Sequence, residues 1–154
     1  MSIPNENSES LIKELLRNNN ALLCGLGCRD SLRVEAGLSL YGNEINENIS
    51  PIQAGLSWAL DKKRLEDSNL NGAKVLLQQL KSANDTKKIG LTPINKAMLR
   101  NNMTLHNSKK EQIGYITSGC FSPILKKSIG IGYIDNVSKM LDSLYVKVRG
   151  DFEE

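Results

Sequence analysis

The pattern of apolar and polar positions changes character about halfway along the chain. In the first half, apolar residues recur at helical spacing in two stretches, 8–17 and 71–81, which predicts an amphipathic helix in each. A further helix is predicted from Arg29 to about Ala36, with Gly37 ending it. The second half carries short apolar runs separated by turn residues, at 88–92, 98–105, 112–118, 128–134 and 143–149. Such runs predict a small antiparallel barrel or sandwich.

Weaker signals lie between the predicted helices. The apolar run 21–24 is predicted to be buried, and 57–60 is predicted to be a strand or turn. Residues 50–53, with the sequence SPIQ, place serine, proline and glutamine at the spacing of a capping box. Because serine and glutamine can satisfy each other's backbone N–H groups there, a short helical turn is predicted to begin at Ser50.

Composition narrows the class of protein. The chain has 154 residues, of which 40% are hydrophobic and 24% charged, the balance of a globular protein. Its net charge is only +3. The basic residues form short, separated clusters, and acidic residues lie between most of these clusters. This pattern indicates a solvated surface and no nucleic-acid partner. No apolar run approaches the ~20 residues of a membrane span, and the N-terminus lacks the features of a signal peptide. Three cysteines and one histidine are too few, and too unevenly spaced, to predict a metal site.

Residues 118–133, SGCFSPILKKSIGIGY, combine a cysteine, a lysine pair and three glycines. A nucleophilic cysteine needs a nearby base, and nothing in the sequence brings Cys120 to His106, so a small buried residue at a strand end is the better interpretation. The glycines do not have the spacing of a phosphate-binding loop. Glycines within a strand instead indicate a bulge or a close backbone approach, and the lysine pair is predicted to lie on an exposed turn.

Residues 24–42, CGLGCRDSLRVEAGLSLYG, hold the densest cluster of chemically capable side chains. Arg29, Asp30, Arg33 and Glu35 lie among apolar and glycine positions. An arginine beside tight backbone suits recognition of a carboxylate. The alternative is that Arg29 and Asp30 cap a helix and pair with other residues of the fold, and the residues alone leave both interpretations open.

Three segments resemble the aminomethyltransferase, or T-protein, family of the glycine cleavage system. They are 24–42 (CGLGCRDSLRVEAGLSLYG), 50–58 (SPIQAGLSW) and 113–133 (IGYITSGCFSPILKKSIGIGY), in the order and at about the spacing of that family. The resemblance implies an α+β chain in which the end of the folate-binding α/β domain is followed by a small antiparallel β-barrel domain. A polar break at 82–85 is predicted to divide the two, giving domains of 1–83 and 84–154.

The resemblance also implies a reaction. A methylene group passes from the aminomethyl-lipoyl arm of a carrier protein, the H-protein, to tetrahydrofolate as co-substrate, and ammonia is released. The expected partners are this lipoyl carrier and tetrahydrofolate, with no nucleic acid or membrane, in bacterial cytoplasm or the mitochondrial matrix. The alternative is a non-catalytic folate-binding or interaction module of the same family.

Few of the family's functional residues have a counterpart in this chain. Arg29 falls on the family's folate- or substrate-contacting arginine, and Tyr41 lies in the matching LYG, where it would line the same pocket. Cys28 stands where the family usually has alanine, a substitution expected to be neutral. No catalytic residue and no metal ligand is assigned. The family's catalytic aspartate is expected upstream of Met1 and further barrel strands beyond Glu154, so the chain alone is expected to be inactive.

Overall fold

The computed structural model describes residues 2–67, 69–81, 86–135, 143–148 and 150–154. The first half is helical and the second half forms a sheet, as the apolar pattern predicts. The helices are α1 (Ser8–Leu16), α2 (Leu26–Glu35), α3 (Lys62–Glu66) and α4 (Ala73–Lys81), and the strands are β1 (Thr86–Leu91), β2 (Thr104–His106), β3 (Gln112–Ser122), β4 (Lys127–Asp135), β5 (Tyr145–Val148) and β6 (Asp151–Glu153). The predicted domain boundary at 82–85 lies outside the described residues.

Within the described ranges, six strands form one antiparallel sheet in the order β1-β4-β3-β2-β5-β6. The two ends of this order approach each other, because the backbone N–H of Ile94, just after β1, donates to the carbonyl of Glu154 at 3.0 Å. A sheet whose edges meet in this way approaches a closed barrel, which leaves less unpaired edge than an open sheet. The α+β class, with a helical part followed by a small antiparallel barrel, is confirmed.

The stretch 118–133 is the end of β3, a turn and most of β4, as predicted. Gly119 and Gly130 lie opposite each other in the ladder. A Cβ atom on Gly119 would come within 2.3 Å of the Leu99 carbonyl oxygen, far inside van der Waals contact. The segment before β2 therefore lies directly on β3, and only glycine allows that approach.

Among the residues that the structure describes, the apolar core forms three clusters. The largest, inside the sheet, joins the buried residues Leu99, Leu105, Ile113, Ile116, Ile134 and Val146. The second lies between α2 and the sheet and consists of Val34, Ile129 and Ile131, with the partly buried Cys120 packed against it. This is the small-residue role predicted for Cys120. The third cluster, Leu65, Ala73 and Leu76, packs α3 against α4.

Several predicted element bounds are wrong. α2 begins at Leu26 and not at Arg29, because Gly25 takes the N-cap position and Gly27 is accommodated in the first turn. The predicted strand at 98–105 is only β2, since the ladder with β3 starts at Thr104. The 57–60 segment is a short 3₁₀ turn at Ser57–Ala59, while α3 and β6 were not predicted at all.

The predicted capping box is confirmed as a single turn. The backbone N–H of Ser50 donates to Gln53 Oε1 at 2.9 Å, and that of Gln53 donates to Ser50 Oγ at 3.2 Å. The N–H of Ala54 then donates to the carbonyl of Ser50 at 3.0 Å. The turn does not continue into a helix, because positive φ at Gly55 ends it.

The predictions of burial in the first half are partly wrong. The 21–24 run was predicted to be buried, yet Leu22 and Leu23 are 87% and 79% exposed. α1 buries no residue, and α4 buries Ala73 and Leu76 while Val75 and Leu80, apolar residues of the predicted amphipathic helix 71–81, are exposed. An apolar pattern identifies a face that can be buried, but it does not say what covers that face.

Candidate functional site

An arginine–glutamate pair lies buried where α2 rests on β3. Arg33 and Glu44 are 8% and 0% exposed, and Arg33 Nη1 donates to Glu44 Oε2 at 2.7 Å. The same guanidinium donates through Nη2 to Ser118 Oγ at 2.7 Å and through Nε to Asp30 Oδ1 at 2.8 Å. One side chain therefore joins α2, the loop that follows it and β3.

The carboxylate of Glu44 accepts hydrogen bonds on both oxygens. Oε2 accepts from the backbone N–H of Leu40 at 2.9 Å in addition to the guanidinium of Arg33. Oε1 accepts from the hydroxyls of Thr117 at 2.6 Å and Ser118 at 2.5 Å. Four donors match the acceptor capacity of a carboxylate, so the desolvated charge is compensated as a buried ion pair requires.

Tyr133 completes this network from β4. Its side chain is fully buried, and its hydroxyl donates to the backbone carbonyl of Glu44 at 2.8 Å. Burial, followed by the charges of Tyr115 and Glu44, raises the pKa of Tyr133 to about 12. The phenol therefore stays protonated at neutral pH and serves as a donor that fixes the loop backbone.

Arg29, the predicted substrate-binding arginine, lies on the solvent side of α2. Its side chain is exposed, and within the described ranges it forms no hydrogen bond or ion pair of its own, unlike Arg33 one turn later. Its neighbours three residues before and after, Leu26 and Leu32, are also exposed. Residues at this spacing lie side by side on a helix, so a guanidinium stands between two apolar side chains on an open face.

Tyr41, the other predicted pocket residue, lies in the loop after α2. It is 71% exposed and forms an isolated parallel bridge with Ile45, next to the buried Glu44. Both are described residues, and no hydrogen bond or ring contact joins Tyr41 to Arg29. The Arg33–Glu44 network holds the helix that carries Arg29 and the loop that carries Tyr41 against the same strand.

The alternative interpretation of the cluster, that its charges pair within the fold, applies to only part of it. Asp30 pairs with Arg33, whose Nη2 lies 2.7 Å from Asp30 Oδ1, whereas Arg29 remains exposed. The residues that sequence reasoning missed are Glu44 and Ser118. They lie 11 and 85 positions from Arg33, so no local pattern could have shown the pairing.

Cys120 and His106 do not form a nucleophile–base pair. The His106 ring nitrogens contact Thr104 Oγ1 at 2.9 Å and the carbonyl of Lys110 at 3.2 Å, and the ring packs edge-on against Phe152. Cys120 packs instead beneath α2, and burial, followed by the charge of Asp30, raises the pKa of its thiol. Both effects disfavour the thiolate that a nucleophile requires.

Two kinds of feature are absent from the described part of the chain. No group of three or more histidine, cysteine, aspartate or glutamate side chains is placed to hold a metal ion. No helix among the same residues is long and apolar enough to cross a membrane.

Two family descriptions match separate parts of the chain. Residues 1–64 match the GCVT N-terminal domain, and residues 87–153 match the glycine cleavage T-protein C-terminal barrel domain. The second match coincides with the strands of the sheet. The first takes in α1, α2 and the loop that holds Glu44, so the buried network joins the two matched regions.

Individual relatives agree with these matches. The mitochondrial aminomethyltransferase of Flaveria anomala is 41% identical over 153 residues, and that of Homo sapiens is 40% identical over 150 residues. Each alignment takes in 97% of this chain and 37% of the relative. The crystal structure of the glycine cleavage system aminomethyltransferase T from Bartonella henselae has a TM-score of 0.86 and 32% identity, over 98% of this chain and 42% of that one.

This chain therefore spans well under half the length of the relatives it matches. Nearly all of it aligns, however, and the two domain descriptions follow each other in the family's order. The resemblance seen in segments 24–42, 50–58 and 113–133 is confirmed, and the chain belongs to the glycine cleavage T-protein, or aminomethyltransferase, family.

Proposed function

We propose that this chain supplies one wall of the folate pocket and the barrel of an aminomethyltransferase of the glycine cleavage system. The complete enzyme would transfer a methylene group from the aminomethyl-lipoyl arm of the H-protein to tetrahydrofolate, with release of ammonia. The observation that carries the proposal is the pair of family matches, over 1–64 and 87–153, together with about 40% identity to named aminomethyltransferases. We assign 1–83 to the folate-binding domain and 84–154 to the barrel.

In this proposal Arg29 positions tetrahydrofolate. Its exposed guanidinium has no competing partner in the part of the chain that the structure describes, and it projects from a helix held in place by Arg33. A guanidinium can bind a folate carboxylate or another polar edge through two N–H groups, while Leu26 and Leu32 offer apolar surface to a ring. Its contribution is orientation of the acceptor nitrogen toward the aminomethyl carbon.

Tyr41 would line the same pocket from the loop after α2. Its ring is open to solvent while the backbone three residues later is fixed through the carboxylate and carbonyl of Glu44. An aromatic side chain on a fixed loop offers contact area at a small cost in conformational entropy. The partners implied are tetrahydrofolate and the lipoyl carrier, and the setting is bacterial cytoplasm or the mitochondrial matrix.

A hybrid protein tests this proposal. This chain is joined to the portion of the human relative that it does not match, and tetrahydrofolate is titrated into the hybrid by calorimetry. We expect Arg29→Ala to weaken binding by about 2–3 kcal/mol, the value of a hydrogen bond to a charged group. Arg29→Lys should retain part of the affinity for tetrahydrofolate, because lysine keeps the charge but cannot form the bidentate hydrogen bonds of arginine.

The matched control is Arg17→Ala, which removes an exposed arginine whose ion pair is with Glu14 on the same helix. It should leave the affinity for tetrahydrofolate unchanged. Equal affinities for the parent hybrid and its Arg29→Ala variant would remove Arg29 from the pocket. The 154-residue chain without the human portion should show negligible transfer from an aminomethyl-lipoyl carrier.

The second candidate function is a non-catalytic folate-binding or interaction module. The observation that favours it is that both proposed tetrahydrofolate contacts, Arg29 and Tyr41, are exposed on this chain, whereas no catalytic residue is assigned among its described residues. The hybrid distinguishes the two functions. Turnover by the hybrid supports the enzyme, whereas tetrahydrofolate binding by the chain alone, with no turnover by the hybrid, supports the module.

A further inference from the structure

The start of α2 carries two thiols outside the residues assigned to the folate pocket. Cys24 immediately precedes the N-cap residue Gly25, and Cys28 lies in the first turn of the helix. Both are free and exposed. We propose that Cys24 and Cys28 form a redox modification site, which closes to an intramolecular disulfide when the chain meets oxidised glutathione.

The two cysteines lie four positions apart at the helix start, with Cys24 just before the N-cap and Cys28 as the third residue of α2. Cys24 Sγ donates to the carbonyl oxygen of Gly25, the N-cap residue of α2, at 3.7 Å. A side-chain hydrogen bond to Cys24, followed by the charge of Cys24, raises the pKa of the Cys28 thiol. A residue just before an N-cap can pack its side chain against the beginning of the helix, so rotation about side-chain bonds is the main adjustment that we expect a bond to need.

The backbone between the two cysteines can accept that adjustment. Two of the three intervening residues are Gly25 and Gly27, and a Cβ atom added to either would meet no atom within 4 Å. The segment therefore has free space around it and the backbone freedom of glycine. A constrained disulfide would instead store strain and be easily reduced.

The reaction balances with glutathione disulfide as the oxidant. The Cys24 thiolate attacks one glutathione sulfur, which breaks the glutathione S–S bond and releases one reduced glutathione. The Cys28 thiol then loses its proton and attacks the mixed disulfide at Cys24, forming the Cys24–Cys28 bond and releasing the second glutathione. The two protein thiols lose two electrons and two protons, and the glutathione disulfide gains both.

Cys120 is an internal control. It is partly buried beneath α2, whereas Cys24 and Cys28 are exposed, so an oxidant should reach it less readily and it should react slowly. Trypsin places the cysteine pair and Cys120 in separate peptides. Cleavage after Arg17 and Arg29 places Cys24 and Cys28 together in peptide 18–29, while Cys120 falls in peptide 111–126.

The test equilibrates the full chain with equal concentrations of reduced and oxidised glutathione, followed by alkylation, trypsin and mass spectrometry. We expect peptide 18–29 to be two hydrogens lighter and unalkylated, at least about tenfold in excess over its glutathione adduct, since the second thiol has a high effective concentration. Peptide 111–126 should be alkylated. Repeating the equilibration in urea should lower the yield of the disulfide, because unfolding releases the two thiols from their positions at the helix start.

Cys28→Ser is the matched variant, and it should leave Cys24 as a stable glutathione adduct with no loss of two hydrogens. The proposal is overturned if peptide 18–29 of the native chain stays reduced or carries glutathione on either cysteine. It is also overturned if the disulfide links two chains, or if its yield is the same in urea. The readout is the mass of the sulfur groups, so failure of the proposed transferase function would not alter the result.

Discussion

The sheet buries its apolar side chains, whereas segment 8–26 leaves most of its own exposed. In the sheet, apolar residues such as Ile116 are buried and the polar groups of Thr117 and Ser118 are paired with Glu44. In segment 8–26, α1 buries nothing and the leucines at 22, 23 and 26 are almost fully exposed. Stability in this chain should therefore come from the sheet and its junction with α2, while segment 8–26 contributes mainly apolar surface.

The largest effect should come from breaking the junction between α2 and β3. Arg33→Met and Glu44→Gln each leave a buried charge or donor without its partner, and each should lower the free energy of unfolding by about 3–5 kcal/mol. The double variant should cost less than the sum of the two, because the residues share one interaction. Urea unfolding, monitored by circular dichroism, measures the free energy of unfolding of both single variants and of the double variant.

The matched control is the exposed pair of Arg17 and Glu14 on α1, joined at 2.5 Å. Replacing either with alanine should change the free energy of unfolding by no more than about 0.5 kcal/mol, since water screens an exposed pair. Equal losses from the buried and exposed pairs would mean that the junction is not where the stability lies.

A somewhat smaller effect is expected from the close approach of Leu99 to β3. Gly119→Ala places a methyl group 2.3 Å from a backbone oxygen and 2.5 Å from the carbonyl carbon of Leu99. Backbone cannot move aside as a side chain can, so we expect a loss of about 3 kcal/mol in the free energy of unfolding.

Gly90→Ala is the control in the neighbouring part of the same sheet. Gly90 lies in β1, and its added methyl group would meet no atom within 4 Å. This variant should change stability by no more than about 0.5 kcal/mol. A loss at Gly90 equal to that at Gly119 would contradict the close approach as the cause.

The fold could be predicted from the sequence where the signals are local to one segment. The β3–β4 hairpin could be predicted because alternation, a proline-containing turn and strand glycines are all local signals, and the capping box at Ser50 is local too. Glycine spacing even indicated a close backbone approach, although it could not identify Leu99 as the contact. The start of α2 was not predicted because glycine has a low helix propensity, although Gly25 is the N-cap here and Gly27 lies in the first turn.

The pairing of Arg33 could not be predicted for a different reason. Its partners Glu44 and Ser118 are brought to it by tertiary folding, across 11 and 85 positions. Sequence reasoning did select the cluster that contains Arg33, but it favoured Arg29 for a ligand because of the family resemblance. Arg29 is the exposed arginine and Arg33 the buried one, a distinction that depends on which face of α2 meets the sheet.

Raising the pH should weaken the buried region through Tyr133. Its pKa is raised to about 12 in the folded chain, against ~10 for an unperturbed tyrosine. The contribution is therefore fully present below about pH 10 and is lost as the pH rises toward 12, because the unfolded chain ionises first. The loss should reach about 2–3 kcal/mol.

Tyr133→Phe removes this titration, although it also removes the hydrogen bond to the carbonyl of Glu44. The variant should be less stable than the parent at pH 7, and the difference should shrink as the pH rises from 10 to 12. Urea unfolding across this range measures it. If the difference in stability between the two proteins stays constant over this range, the pKa of Tyr133 is the same in the folded and the unfolded chain, which contradicts the prediction.

The smallest effect on stability should come from segment 8–26. Leu22→Ser and Leu23→Ser replace side chains that are 87% and 79% exposed, so each should change the free energy of unfolding by no more than about 0.5 kcal/mol. Leu105→Ser, inside the sheet at 2% exposure, should cost several times more, since it removes buried apolar contacts and introduces a hydroxyl. Adjacent exposed leucines also favour self-association, so the Leu22→Ser and Leu23→Ser double variant should shift the onset of light scattering to a higher protein concentration. A loss of more than about 1 kcal/mol in either single variant would show that these leucines have a packing partner in this chain, and the contrast between segment 8–26 and the sheet would then fail.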